Sequence, residues 1–409
     1  MRKAIAVIAT LDTKGPEALY LSRRIRAGGG QPVVIDVGMR GTPYGARPDI
    51  SREAVAREAG TSARAVRMLG RGAAVEVMQR GLARILTGLH ARGKLAGALA
   101  VGGSDGAILA ATAMHALPFG VPKMILSPAT QGQTPFGPYV GSSDIVIRHS
   151  VVDILGINQL SRVIFDQSAA AVLAMAEAPV DLKLRPGKVI AATMYGNTTP
   201  AVMLAKKILE RRGYEVIVFH PNGTGGQAME GLIAQGLFEG VLDYTTHEIS
   251  DHLFGGFHSA GPGRLEAAGR LGLPQLVVPG CVDFLIRESQ RSLPARYRRR
   301  KSYHFNPVIS LVRTSRAEMR SVARAMAGKL NAALGPVTLL IPQRGFSMYA
   351  GPGGRMRDAQ GDAEFIRTIK ARLSSRVRVV EQDAHINDPR FARLAASLLL
   401  EMLAKARTR

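Results

Sequence analysis

Short β-rich apolar runs alternate along the chain with longer amphipathic stretches, the pattern of a mainly parallel sheet with helices on its faces. In the first half the runs Ala4–Thr10, Pro32–Val37, Leu95–Val101 and Lys123–Leu126 predict strands. Helices are predicted between them near Pro16–Ala27, Arg64–Arg92 and Gly106–Ala116, and a further apolar helix over Gln167–Ala178 closes this half. Pro179 and the polar stretch Asp181–Gly187 then read as a linker. A new cycle follows, with strands at Lys188–Thr193, Glu215–Phe219, Gly240–Leu242, Gln275–Val278, Val308–Val312, Val337–Ile341 and Val377–Val380. The helices that separate them lie near Pro200–Arg212, Gly226–Gln235, Arg264–Leu271, Ser315–Leu334, Asp362–Leu373 and Pro389–Arg407. The economical architecture is α/β: two domains, 1–180 and 187–409, each around its own sheet.

In open α/β sheets ligands bind beyond the carboxyl ends of the strands, so the loops there carry the candidate chemistry. In the first domain Asp12, Thr13 and Lys14 precede the helix that Pro16 starts; Lys14 can neutralise a phosphate, and Asp12 or Thr13 can hold a hydroxyl or a magnesium-bound water. The same residues also suit plain helix capping. Gly102, Gly103, Ser104 and Gly106 form a glycine turn at a helix start, able to present backbone N–H groups to an anion. Asp36 ends the second strand, where an acid can accept a ribose hydroxyl or cap a turn, and Thr130, Gln131 and Gly132 lie in a long polar loop after the fourth.

In the second domain Gly223, Gly225 and Ala228 fit G-x-G-x-x-A after a strand, with Asp243 twenty residues on, the layout of a dinucleotide fingerprint. Asn222, Thr224 and Gly226 complete that loop, and Asn197, Thr198 and Thr199 stand at the neighbouring strand end, so together they mark a second anion or ligand site. His247-Glu248 invites comparison with a zinc-protease helix, but the next histidine is His252, about 140° around a helix from the first, so that motif fails. His247, Glu248 and Asp251 are left as candidates for proton transfer. His220, His258, His304 and His385, with acids such as Asp283 and Asp388, add further possible partners or metal ligands.

Bulk properties narrow the picture. With 46% hydrophobic and 21% charged residues the composition is that of an ordinary globular protein, and no apolar run reaches the roughly 18 residues of a membrane helix. A single cysteine, Cys281, rules out an internal disulfide and favours a reducing cytoplasm. The net charge of +23 is spread over both halves, with its densest run at Arg296–Lys301. Aromatics are only 5% and there is no tryptophan, so the base-stacking side of nucleic-acid recognition is missing and a solvated or interface-facing basic loop is expected.

Several of these segments together resemble one family. They are Thr10–Gly15, Gly102–Ser104, Tyr139–Gly141, Ser150–Asp153, Gly223–Glu230, Thr245-Thr246, Ser259–Pro262 and His385–Pro389. The set is similar to the Tm-one-like ATP-binding domain family of bacterial and fungal proteins, which includes the N-terminal inhibitory domain of a tomato virus-resistance protein, and the likeness runs over nearly the whole chain. The resemblance implies two Rossmann-like domains with mainly parallel sheets, a homodimer, and ATP with magnesium in the first domain. The ATP contacts it implies are Asp12, Thr13, Lys14, Gly102, Gly103, Ser104, Gly106 and the loop at Thr130–Gly132. The chain departs from the family at Asp105, where a small residue is usual, and at Thr130-Gln131-Gly132 and His220-Pro221-Asn222-Gly223. The leading expectation is an ATP-binding cytoplasmic protein in which hydrolysis, transfer or mere sensing of ATP all stay open; as an enzyme it would activate a small acidic metabolite held by the second domain around Asn197, Gly223–Gly226 and Glu248. Against it stand a non-catalytic ATP-dependent scaffold and an NAD-dependent oxidoreductase using Gly223–Ala228.

Overall fold

The computed structural model describes residues 4–128, 137–178 and 188–407. It divides into two compact units, Met1–Asp181 and Leu182–Arg409. In the first, β1 (Ala4–Ala9), α1 (Leu11–Ala27) and β2 (Gln31–Asp36) are followed by three helices, α2 (Arg52–Glu58), α3 (Ala63–Met68) and α4 (Arg71–Ala91). Then come β3 (Leu95–Val101), α5 (Ser104–Met114), β4 (Lys123–Ser127), α6 (Gly137–Val140), β5 (Val146–His149) and α7 (Gln159–Glu177). The strands form one parallel sheet in the order β2-β1-β3-β4-β5. Side-chain alternation splits the core cleanly. Ala6 and Ile8 of β1 pack with α2, α4 and α5, whereas Ile5, Val7 and Ala9 pack with α1 and α7.

The second unit opens with β6 (Val189–Thr193), α8 (Thr199–Arg211), β7 (Glu215–Phe219), α9 (Thr224–Ala234), β8 (Gly240–Thr245), α10 (Glu248–Phe254), α11 (Ala267–Arg270) and β9 (Gln275–Gly280). An insertion of β10 (Phe284–Glu288), α12 (Ala295–Arg298), β11 (Ser302–His304) and β12 (Ile309–Arg313) follows. The unit ends with α13 (Arg316–Asn331), β13 (Val337–Pro342), α14 (Ala359–Arg372), β14 (Val377–Gln382) and α15 (Pro389–Arg407). Its six-stranded sheet has the order β14-β13-β9-β8-β6-β7, parallel throughout. Both sheets therefore reverse direction beside their first strand, at β1/β3 and at β6/β8, which is where open α/β sheets leave a crevice. The expected two Rossmann-like α/β units are what the chain forms.

Local chemistry explains where the elements depart from the sequence pattern. The predicted helix Arg64–Arg92 is two helices, broken at Leu69 and Gly70, both extended. Helix α7 starts eight residues before the predicted Gln167, because Asn158 and Ser161 close a capping box there. The predicted strand at Val308–Val312 lies outside the parallel sheet: β12 pairs antiparallel with β10 and β11 in the inserted sheet. The basic run is structured around one aromatic ring. The guanidinium groups of Arg287, Arg296 and Arg300 lie 5.1, 4.9 and 4.9 Å from the centroid of buried Tyr297.

Helix α4 runs so close to α2 that a Cβ on Gly81 would stand 2.0 Å from the Val55 carbonyl oxygen. Gly81→Ala is expected to cost about 1–3 kcal/mol in urea unfolding by forcing the two helices apart. Gly72→Ala, on the same helix with no atom within 4 Å of the added Cβ, is the control and should cost nothing.

Candidate functional site

The crevice of the first unit is a cleft of about 490 Å³ at the β1/β3 reversal. Thr10, Asp12, Thr13 and Lys14 line one side, Gly103, Ser104, Asp105 and Gly106 another, and Met39, Arg40, Arg71, Ala74 and Asp153 complete it. Lys14 departs from helical geometry at φ −128°, and its ammonium has one long contact, 3.5 Å to the Thr13 carbonyl. Nothing lies within 4 Å of where a Cβ would stand on Gly103 or Gly106, so the backbone at the start of α5 faces open space. Asp105, the acid beside that backbone, is paired at 2.5 Å with Arg71 from the start of α4. Asp12 is partly engaged, accepting from the backbone N–H groups of Arg40 at 3.3 Å and Gly41 at 2.9 Å.

Two of the predicted residues stand behind the cleft. Gly102 follows β3 and donates its N–H to the Leu126 carbonyl. Asp36 is fully buried: its oxygens take Arg52 at 2.6 Å and the N–H groups of Leu11 at 3.1 Å and Gly38 at 2.8 Å. Such an acid ties β2 to the start of α1 and has no face toward a ribose. Thr130, Gln131 and Gly132 lie outside the described residues.

In the second unit the glycine loop is already occupied. Gly223 and Gly226 donate their N–H groups to Glu248 Oε1 at 2.7 and 3.2 Å, so a carboxylate of the chain itself sits where a phosphate was expected. Glu248 in turn meets Arg264 at 2.6 Å, and Arg264 grips both oxygens of Asp243, leaving the supposed ribose acid committed. Arg264, Glu248 and Asp243 are all buried, and Thr193 adds a 2.8 Å hydroxyl bond to Asp243. Burial raises the Glu248 carboxyl to about 7, against the pull of Arg264 and the Gly223 N–H. Asn222 caps its own loop through Gly225 N–H at 3.1 Å and Thr224 at 3.2 Å. Thr198 bonds Thr245 at 2.8 Å, and Thr199 bonds the Tyr195 carbonyl at 3.0 Å.

Beside the glycine loop, around the start of α10, lies a ring of histidines about Tyr195. The Tyr195 ring centroid is 5.2 Å from His220, 4.8 Å from His247 and 5.8 Å from His258. His247 and Asp251 are one turn apart and both fully buried, while His252 is exposed and bonds Ser259. His247 Nε2 stands 3.2 Å from His258 Nδ1, and Asp251 accepts the His258 and Ile286 N–H groups at 2.9 and 3.0 Å. Burial lifts the Asp251 carboxyl to about 7 and drops the His258 imidazole to about 4, so the histidine is neutral. Cys281, buried at the end of β9, holds a left-handed φ of 62°, a strained backbone beside the ring. Of the other candidates, Asp283 is bound to Arg313 at 2.8 Å, Asp388 caps Arg390 at 2.8 Å, and His385 contacts the Ser347 carbonyl at 2.9 Å. Asn387, from the same segment as His385, holds the Asn197 carbonyl at 2.8 Å; the side-chain oxygens of both asparagines are buried without partners.

Residues 3–181 match the N-terminal domain, and residues 187–403 the C-terminal domain, of the uncharacterised protein family UPF0261. The chain belongs to the UPF0261 family. It is 39% identical to a UPF0261 protein of Clostridium tetani over 99% of this chain and all of that one. A UPF0261 protein of Rhizobium meliloti is 38% identical over 97% of this chain and 98% of its own. The tomato (Solanum lycopersicum) ToMV resistance protein Tm-1(GCR237) is 35% identical over 82% of this chain, which spans 45% of that longer protein. A solved UDP-N-acetylglucosamine 2-epimerase from Rickettsia bellii aligns over 99% of this chain and 97% of its own at 12% identity with a TM-score of 0.24, too low to carry an argument.

Within this UPF0261 chain Thr10–Gly15, Gly102–Ser104 and Ser150–Asp153 contribute to the first cleft and Gly223–Glu230 to the glycine loop of the second unit, whereas Tyr139–Gly141 packs against His115. Sequence reasoning named His247, Glu248 and Asp251 as candidates, and it passed over Arg264 and Tyr195 as their partners. The readable signal was the i, i+4 spacing of His247 and Asp251, which places them on one helical face.

Removing Arg264 would strand Glu248 and Asp243 together in a dry interior. Arg264→Met is expected to lower unfolding free energy by about 3–5 kcal/mol. Adding Asp243→Asn and Glu248→Gln should restore part of that loss, and strictly additive penalties in the urea series would contradict the buried network.

Proposed function

We propose that the first unit binds a nucleoside triphosphate, ATP with magnesium, in the β1/β3 cleft. The observation that carries the reading is convergence: Lys14 and the open glycine backbone at the start of α5 face one cleft of about 490 Å³, within the usual size of small-molecule sites. An aligned helix N-terminus and an ammonium are the pair of features that hold phosphate oxygens. Pairing with Arg71 offsets the Asp105 charge that would otherwise repel a triphosphate. The carboxylates of Asp12, Asp105 and Asp153 line the same cleft and are the oxygen donors available to magnesium, a hard cation that keeps several waters. The ATP-binding activity implied by the family resemblance points to the same residues. The filled loop at Gly223–Gly226 argues against a dinucleotide or acidic metabolite there, because Glu248 already holds those N–H groups.

Titration calorimetry with ATP and magnesium tests the proposal. Lys14→Ala is expected to weaken binding about 10-fold or more, the worth of a hydrogen bond to a charged group. Gly106→Val adds bulk into open space, so it should fold normally and abolish binding. No heat with the parent chain, or unchanged affinity in both variants, would overturn the assignment.

A further inference from the structure

We propose that His247, Asp251 and His258 form a site for one divalent transition-metal ion of the zinc type in the second unit, independent of the nucleotide cleft. One nitrogen of each imidazole and one Asp251 oxygen lie within 4.8 Å of one another. The two facing ring nitrogens are 3.2 Å apart. Two ligands each about 2.0–2.1 Å from a common ion at a tetrahedral or octahedral angle are separated by about that much. The ligands come from rigid places. His247 and Asp251 sit one turn apart at the start of α10, and His258 is fixed by its own backbone N–H, which Asp251 accepts at 2.9 Å.

Two further features describe the surroundings of the cluster. His247 is fully buried and turns Nε2 to His258, while its outer nitrogen Nδ1 has no hydrogen-bond partner; a buried polar atom in that condition calls for a water outside the polypeptide and is not itself a ligand of the ion. Tyr195 and exposed His220 border the cluster, so the side away from Asp251 is where an open coordination position would meet solvent. Two histidines, one carboxylate and an open position form the ligand set of catalytic metal sites, in which the ion activates water or polarises a carbonyl oxygen.

The test uses the full-length chain stripped of metal by a chelator. It is titrated with Co²⁺, whose visible bands report coordination, and then with Zn²⁺ as competitor. The expected result is one Co²⁺ per chain, displaced by one Zn²⁺. His258→Gln should weaken Co²⁺ binding by more than the roughly 10–100-fold that loss of an outer-shell partner costs at metal sites. His252→Ala, on the exposed side of the same helix, should bind like the parent. His258→Cys guards against a folding artefact: retained binding with a new sulfur-to-cobalt charge-transfer band places the ion at residue 258. No Co²⁺ uptake by the parent chain, equal uptake by His258→Gln, or a His258→Cys spectrum without the sulfur band would overturn the site.

Discussion

A guanidinium withdrawn completely from water has to be surrounded by acids, and in the second unit Arg264 plays that part for three of them. It reaches Asp243 at the end of β8, Glu248 at the start of α10 and Glu230 on α9, so a single side chain fixes a strand and two helices. Glu248 passes the constraint on to the backbone of α9 through Gly223 and Gly226. Since α10 is thereby held at its first residue, His247 and Asp251 are aimed to the side where Tyr195 and His258 stand. The histidine cluster depends on this buried charge network as much as on its own contacts. Burying ions on this scale is costly unless every one is paired, which is why the loss of one member is felt by all.

The two units solve the same topological problem differently. Each sheet reverses beside its first strand and leaves a crevice at that point. In the first, side chains stand back from the start of α5, cations gather at the rim, and space remains. In the second, the equivalent loop has been filled from inside, and imidazoles and a strained Cys281 gather beside it. One fold thus presents a polar, cation-rimmed cleft in one unit and a drier, ligand-like cluster in the other.

Much of this was legible in the sequence. Alternating runs gave the strands of both parallel sheets except the exposed edge strand β5, because burial on two faces leaves continuous apolar segments. Asp12, Thr13, Lys14, Gly103, Ser104 and Gly106 were named by their place after strands, and topology alone brings them to one cleft. Asp36 could not be separated from a ligand-binding acid, since its burial depends on Arg52, sixteen residues away. The dinucleotide fingerprint was a true signal of geometry: the loop, the helix start and the trailing acid are all there. What the spacing could not reveal was the identity of the anion, because Glu248 and Arg264 come from a different stretch of chain. The inserted sheet was missed in part because β10 and β11 are short and border a basic loop whose ordering rests on Tyr297.

The glycine at 226 is usually read as room for a visitor. Here a Cβ on it would stand 2.1 Å from the Glu248 carboxylate, so the two positions are one unit of inheritance. Neither can drift alone: a larger residue at 226 expels the acid, and losing the acid leaves two N–H groups without their acceptor and takes one of three anions from Arg264. Across the lineage these sites should change together or not at all, and a descendant that lost the acid but kept the glycine would have reopened a phosphate cradle, the simplest route by which this domain could acquire a new ligand.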